Sequence, residues 1–220
     1  ERWTHQFGTS GSDYAQALAT DADGNVFVGG RTNGALEGTN AGAYDAYVRS
    51  YDGTGAERWT VQYGTFEWEY VFGIVIDDVG RPYVAGYTAA ALEGSHAGGY
   101  DVYVRSLDVG GSERWTVQFG TSSDDRALGL ALDAYGNLFV VGSTDGVLEG
   151  AGAGATDAFV RSLAPDGQVR WTRQFGTGSA DQGEDIAIDG AGRVRVVGST
   201  GGDLAGSQGS DDGYLRTYGR

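Results

Sequence analysis

Carboxylates and aromatic rings are the residues of this chain whose types and spacing could hold a ligand. Asp13, Asp125 and Asp181 each follow a copy of one short motif, Trp-Thr-x-Gln-Phe-Gly-Thr, and Glu69 follows the remaining copy. Clustered carboxylate oxygens suit Ca²⁺, a hard cation that takes about six to eight oxygen ligands, so Asp13, Asp125 and Asp181 are candidate calcium ligands. Solvated loop carboxylates are the competing reading. The second copy departs from the others: Phe66-Glu67-Trp68-Glu69-Tyr70 stands where its counterparts carry Ser, Gly, Ala and Asp. Aromatic rings flanked by carboxylates suit stacking on a sugar or anchoring a protein. Phe66, Trp68, Glu69 and Tyr70 are therefore candidate ligand-binding residues, with Glu37, Glu93 and Glu149 from three Leu-Glu-Gly loops. Local packing of those rings is the alternative.

Other recurrences read as scaffold. Asp21-x-Asp23-Gly24-Asn25 resembles the start of a calcium loop but lacks the glutamate that would close one, so a hairpin turn is expected. Asp45 and Arg49 recur as Asp101/Arg105, Asp157/Arg161 and Asp212/Arg216. Lying four apart on a strand they share a face, and a structural ion pair or a hydrogen bond to an adjoining blade is expected. His5 and His96 recur nowhere, and no Ser-His-Asp arrangement, zinc-ligand spacing or phosphate loop can be assembled. No enzyme activity and no required cofactor are expected. A hydrolase or lyase using paired loop carboxylates is the remote alternative.

The elements that must position these residues are set by a repeat. Trp3, Trp59, Trp115 and Trp171 fall 56 residues apart, and a fixed period of this size signals a repeat architecture. Trp59, Val61 and Tyr63 alternate with Arg58, Thr60 and Gln62, the two-residue period of a strand with one apolar face. Each repeat adds a small-residue strand (Tyr14 to Thr20 in the first), an Asp-Gly turn, a third strand (Val26 to Gly30) and, after the Leu-Glu-Gly loop, a fourth (Asp45 to Ser50). Leu18, Ile74, Leu130 and Ile186 share one register position of the small-residue strand, with apolar residues at the next. Both faces of that strand are thus expected to be buried near a crowded centre.

Four-stranded units repeated head to tail make the blades of a β-propeller. The expected fold is an all-β propeller of four blades in one domain, residues 1–220, with repeats 1–56, 57–112, 113–168 and 169–220. The blades either close as a ring, by pairing of the first Trp strand with the last strand, or form part of a larger propeller. The runs Trp-Thr-x-Gln-Phe-Gly-Thr, Asp-x-x-Gly-Asn-x-Phe-Val-x-Gly-x-Thr and Asp-Ala-Tyr/Phe-Val-Arg resemble the SBBP β-propeller repeats of bacterial secreted and surface proteins. The resemblance covers the whole chain and implies a propeller and an extracellular or cell-surface location.

Composition narrows the partners. The 220 residues include forty glycines, two prolines and no cysteine or methionine, which excludes disulfides and thiolate metal sites. The chain starts at Glu1 without methionine, so a processed product or a piece of something longer is expected. Apolar runs are too short for a membrane helix. A net charge of −15, with arginine as the basic residue throughout, argues against nucleic acid and anionic membrane. The expectation is a scaffold or binding module presenting its acidic, aromatic loop face to a protein or carbohydrate partner. The alternative is a building block that assembles, as a homo-oligomer or fibre, through its edge strands.

Overall fold

The computed structural model describes residues 3–206 and 209–219. Its regular structure is antiparallel strand, in four sheets. The first sheet runs β1 (Asp13–Thr20), β2 (Val26–Thr32), β3 (Asp45–Tyr51) and β4 (Glu57–Tyr63), and the second β5 (Glu69–Ile76), β6 (Pro82–Thr88), β7 (Asp101–Leu107) and β8 (Glu113–Phe119). The third contains β9 (Asp125–Leu132), β10 (Leu138–Thr144), β11 (Asp157–Leu163) and β12 (Val169–Phe175). The fourth has three strands, β13 (Asp181–Ile188), β14 (Val194–Thr200) and β15 (Asp212–Tyr218). Neighbours in sequence are neighbours in each sheet, so every sheet is a meander with the small-residue strand at one edge, and each of the three four-stranded sheets has a Trp strand at the other. This is the four-strand order of a propeller blade.

Two compact units divide the chain, one of Glu1–His96 with Tyr103–Gln118 and one of Ala97–Val102 with Phe119–Arg220. In the first, Phe27, Val48, Val71, Val84 and Leu107 form a buried core. In the second, Val141, Val160, Ile186 and Val196 do so. Outer-strand aromatics seal blade against blade: Tyr63 meets Tyr103 edge-on at 6.1 Å, and the guanidinium of Arg105 lies 3.9 Å over the Tyr63 ring. Phe175 meets Tyr214 at 5.7 Å under Arg216 in the same way.

The tight turns carry out the expected glycine geometry. Gly24 and Gly80 adopt φ of 81° and 82°, in the region where a side chain would be strained. The turn aspartate closes each hairpin from below: Asp77 Oδ1 accepts from the N–H groups of Val79 and Arg81, and Oδ2 from Arg81 Nε at 2.6 Å. Burial would raise the Asp77 carboxyl, yet these bonds hold it below its usual range. The carboxylate of Asp21 is spent likewise on Asp23 and Asn25, the arrangement of a turn rather than of a calcium loop.

Three expectations are altered. Ile74, Leu130 and Ile186 are buried as their register required, but Leu18 is 68% exposed, because no sheet covers that face of β1 within its unit. Residues 3–12 form no strand, and β15 carries no partner on its outer edge, so the pairing that would close a ring is not detected among the described residues. Phe7 nonetheless packs edge-on against Tyr47 at 5.8 Å beneath Arg49, repeating what Tyr63 does to Tyr103. Finally, the strand-three aspartate and arginine do not pair with each other. Arg49 donates to Thr60 and lies 3.7 Å from Glu57, while Asp45 accepts from Ala41 and Gln62.

Candidate functional site

The residues that depart from the repeat come together in the first unit. A parallel bridge between Tyr44 and Trp68, with the Glu69 N–H donating to the Tyr44 carbonyl at 2.8 Å, sets the end of the first blade beside the start of the second. Trp68 then lies between Tyr44 at 5.6 Å and Tyr70 at 6.1 Å, and Tyr70 continues to Tyr87 at 4.6 Å and to Phe72 at 6.1 Å. Antiparallel register sets Tyr14 opposite Arg31 and Tyr70 opposite Tyr87. The Arg31 guanidinium thereby sits 4.2 Å over the Tyr14 ring and 4.7 Å over Tyr70, held in plane by a bond to Gln16. Such cation–π contacts fix both charge and rings.

The outcome is a bank of rings whose inner members are packed and whose outer members are bare. Tyr70 is buried, whereas Tyr14 and Trp68 are 44% and 40% exposed; Phe66, two residues before Trp68 in the chain, is 75% exposed. The equivalent positions of the second unit hold Arg126, Gln182, Leu128, Glu184, Ser143 and Ser199, which cannot build such a bank. Phe66 and Trp68 are visible in the sequence as departures. Tyr14, Arg31, Tyr44, Phe72 and Tyr87 are not singled out by it, although comparing strand positions across the repeats would have found Tyr14/Tyr70 and Arg31/Tyr87.

The carboxylates are placed otherwise. Glu69 is fully buried, and its oxygens accept from the Thr65 N–H, the Thr65 hydroxyl and the Thr88 hydroxyl. Burial pushes the Glu69 carboxyl up; these bonds pull against it and the neighbouring Asp45 adds to it. Asp125 and Asp181 are equally buried against Thr121 and Thr177, and Asp13 meets Thr9 and Thr32. Glu37, Glu93 and Glu149 keep exposed side chains, while their backbone N–H groups donate to Gln62, Gln118 and Gln174. Among the described residues no three Asp, Glu or His side chains converge as a metal cage.

With this geometry in place, the likeness to known proteins can be set beside it. A family model described as a beta-propeller repeat, SBBP, matches residues 2–37, 114–149 and 170–205. The chain carries SBBP β-propeller repeats. The second and third SBBP segments start on the Trp strands β8 and β12 and continue into the next sheet, whereas residues 3–12 of the first form no strand. The chain is also 27% identical over 196 residues to "Regulatory protein FlaEY" of Caulobacter vibrioides, an alignment covering 78% of this chain and 20% of that protein. It spans about a fifth of the length of that curated relative. Among solved structures, a protein of unknown function from Bacteroides caccae matches with a TM-score of 0.51 at 15% identity, covering 89% of this chain and 56% of that one. At such identity the likeness shows the fold alone. A luciferin-regenerating enzyme matches at a TM-score of 0.45 and 12% identity, covering 82% of this chain and 52% of that one.

Proposed function

We propose that this SBBP repeat protein is a non-enzymatic binding module of a secreted or cell-surface protein, and that the bare rings of its first unit bind a glycan. The observation that carries the reading is the exposure of Tyr14 and Trp68 on one bank of packed aromatics, with the bare ring of Phe66 two residues before Trp68 in the chain; the equivalent strand positions of the second unit hold Arg126, Gln182, Leu128, Glu184, Ser143 and Ser199. Exposed rings stack on the C–H faces of sugars, and their hydroxyls find partners in Gln16, Arg31 and Glu67 at the rim. A rigid β-scaffold carrying its binding residues on loops is the usual division of labour.

Trp68→Ala tests it. The side chain contributes a ring without which Tyr44 and Tyr70 lose their link, so affinity for an immobilised polysaccharide that binds the native chain is expected to fall by about 2 kcal/mol, roughly 30-fold. Thermal stability should fall as well, since the ring is 40% exposed and packs against Tyr44 and Tyr70, so binding is measured below the melting transition of both chains. Undiminished binding by the variant, or a native chain that retains none of a broad polysaccharide panel, refutes the reading.

A second reading, assembly through strand edges, is favoured by the bare outer edge of β15 and by residues 3–7, which form no strand although Phe7 packs on Tyr47 as Tyr63 packs on Tyr103. Exposed edges are templates for addition. It requires the solution mass, measured by light scattering, to rise with protein concentration, and to cease doing so once residues 3–7 are deleted. A native chain that stays monomeric excludes it.

A further inference from the structure

Arg31 stands where the other repeats hold Tyr87, Ser143 and Ser199, so the sheet itself does not require a guanidinium at that point. The arginine–ring contacts that belong to the scaffold are of another kind. Arg49, Arg105 and Arg161 recur on the third strand of their sheets, lie 4.5, 3.9 and 3.8 Å from the rings of Phe7, Tyr63 and Phe119, and each gives its Nε to the threonine of a Trp strand. Arg49 and Arg105 also have Glu57 and Glu113 as counter-charges.

Arg31 is anchored differently. Its guanidinium lies 4.2 Å over the Tyr14 ring, 4.7 Å over Tyr70 and 5.4 Å over Tyr44. Nη1 donates to Gln16 at 2.8 Å, Nε is buried and donates to no protein atom, and among the described residues no Asp or Glu forms an ion pair with it. The acids that open β1 and β5 are engaged elsewhere, Asp13 with Thr9 and Thr32 and Glu69 with Thr65 and Thr88. Ring faces offset part of the charge but offer no acceptor in the plane of the fork, so most of the donors of this guanidinium are unspent. That is a costly state for a half-buried cation in a chain whose acidic residues outnumber its basic ones by thirty to fifteen.

We infer that the glycan bound at these rings is a polymer of uronic acid, with Arg31 taking the carboxylate of a sugar that stacks on Tyr14 and Trp68. The inference rests on the glycan reading and narrows it to one substrate class. A planar guanidinium fits a planar carboxylate through paired N–H···O bonds, which a neutral hydroxyl cannot return. The acidic character of the chain does not forbid such a ligand: at about 0.15 M salt, charges further away than about 8 Å are largely screened, whereas a direct contact is not.

The experiment compares binding of the native chain to polygalacturonate, alginate and hyaluronate with binding to the same polymers after their carboxyls have been reduced to alcohols, at about 0.15 M salt. At least one acid form is expected to bind about tenfold more tightly than its reduced form. Arg31→Gln should bring the two forms to within about twofold of each other, while Trp68→Ala should weaken both. Arg31→Lys keeps the charge without the fork and serves if Arg31→Gln folds poorly; it should lower the preference to about threefold. Equal binding of both forms by the native chain, or a preference undiminished in the Arg31 variants, overturns the inference and leaves the glycan reading standing. Binding to no polymer in either form overturns both. Polyglutamate bound as tightly as the uronates would reveal a carboxylate site indifferent to sugar, and would equally overturn the assignment.

Discussion

Gly86→Ala is expected to destabilise the first unit by about 3 kcal/mol, lowering its melting temperature on the order of 10 °C. Gly86 lies on β6 opposite a bulge in β5, where Val71 pairs with Gly86 and Gly73 with Ala85. The bulge turns the Tyr70 carbonyl toward Gly86, and a Cβ there would overlap that oxygen and stand 2.7 Å from the carbonyl carbon. The obstacle is backbone, so no rotamer change relieves it. The same carbonyl accepts a bond from the Tyr103 hydroxyl at 2.8 Å, which the displaced strand would lose, adding about 1 kcal/mol. Gly178 provides the control, because nothing lies within 4 Å of its added Cβ and its φ is ordinary. Urea titrations of both variants decide the matter: a Gly86→Ala midpoint no lower than that of Gly178→Ala would remove the bulge from the account. Gly30, Gly142 and Gly198 meet the carbonyls of Tyr14, Arg126 and Gln182 in the same way, which explains a glycine at this point of every copy.

The repeat made the sheets legible because alternation, turn glycines and period are local facts. Trp59, Val61 and Tyr63 announce an outer strand without reference to anything distant, and the strand order follows from the meander. What the chain does at its ends is another matter, since Leu18 carries the same residue class as Ile74 yet is bare; burial there depends on what covers the sheet and not on the strand's own pattern. The site divides similarly. Phe66 and Trp68 break the local consensus and could be read directly, whereas Arg31 joins Tyr14 through register and Tyr70 through blade packing, neither of which is written in a short window. Asp125 and Asp181 were expected among themselves on a loop face. The structure instead turns each toward the strand-three aspartate 24 positions earlier, Asp101 and Asp157. A pairing across a blade junction leaves no motif in either strand alone.

Gln62→Ala is expected to release the Leu-Glu-Gly loop while leaving the sheet intact. Residues 33–44 form no strand apart from the bridge at Tyr44, so the loop depends on what reaches out to it. Gln62 Oε1 accepts from the N–H groups of Leu36 and Glu37 at 2.8 and 3.1 Å, and Nε2 donates to the Gly34 carbonyl and to Asp45 Oδ2 at 2.9 and 2.8 Å. All four capacities of one amide are thus spent on fixing the loop to the end of β3, a use that neither glutamate nor leucine can reproduce. Gln118 and Gln174 hold Leu92 and Leu148 alike, so in these three Trp-Thr-x-Gln motifs the glutamine is the latch of the preceding loop. Losing it costs about 2 to 3 kcal/mol locally, because the freed N–H groups can turn to water while the bond to the buried Asp45 is lost outright. Amide exchange at Leu36 and Glu37 should accelerate roughly 30- to 100-fold, with protection at Val48 and Val84 unchanged. Equal exchange in variant and native chain would show that the loop holds itself. Faster exchange with weaker polysaccharide binding would instead tie the latch to the rings, since the N–H groups of Ala43 and Tyr44 in the same loop donate to the Glu67 carbonyl beside Trp68.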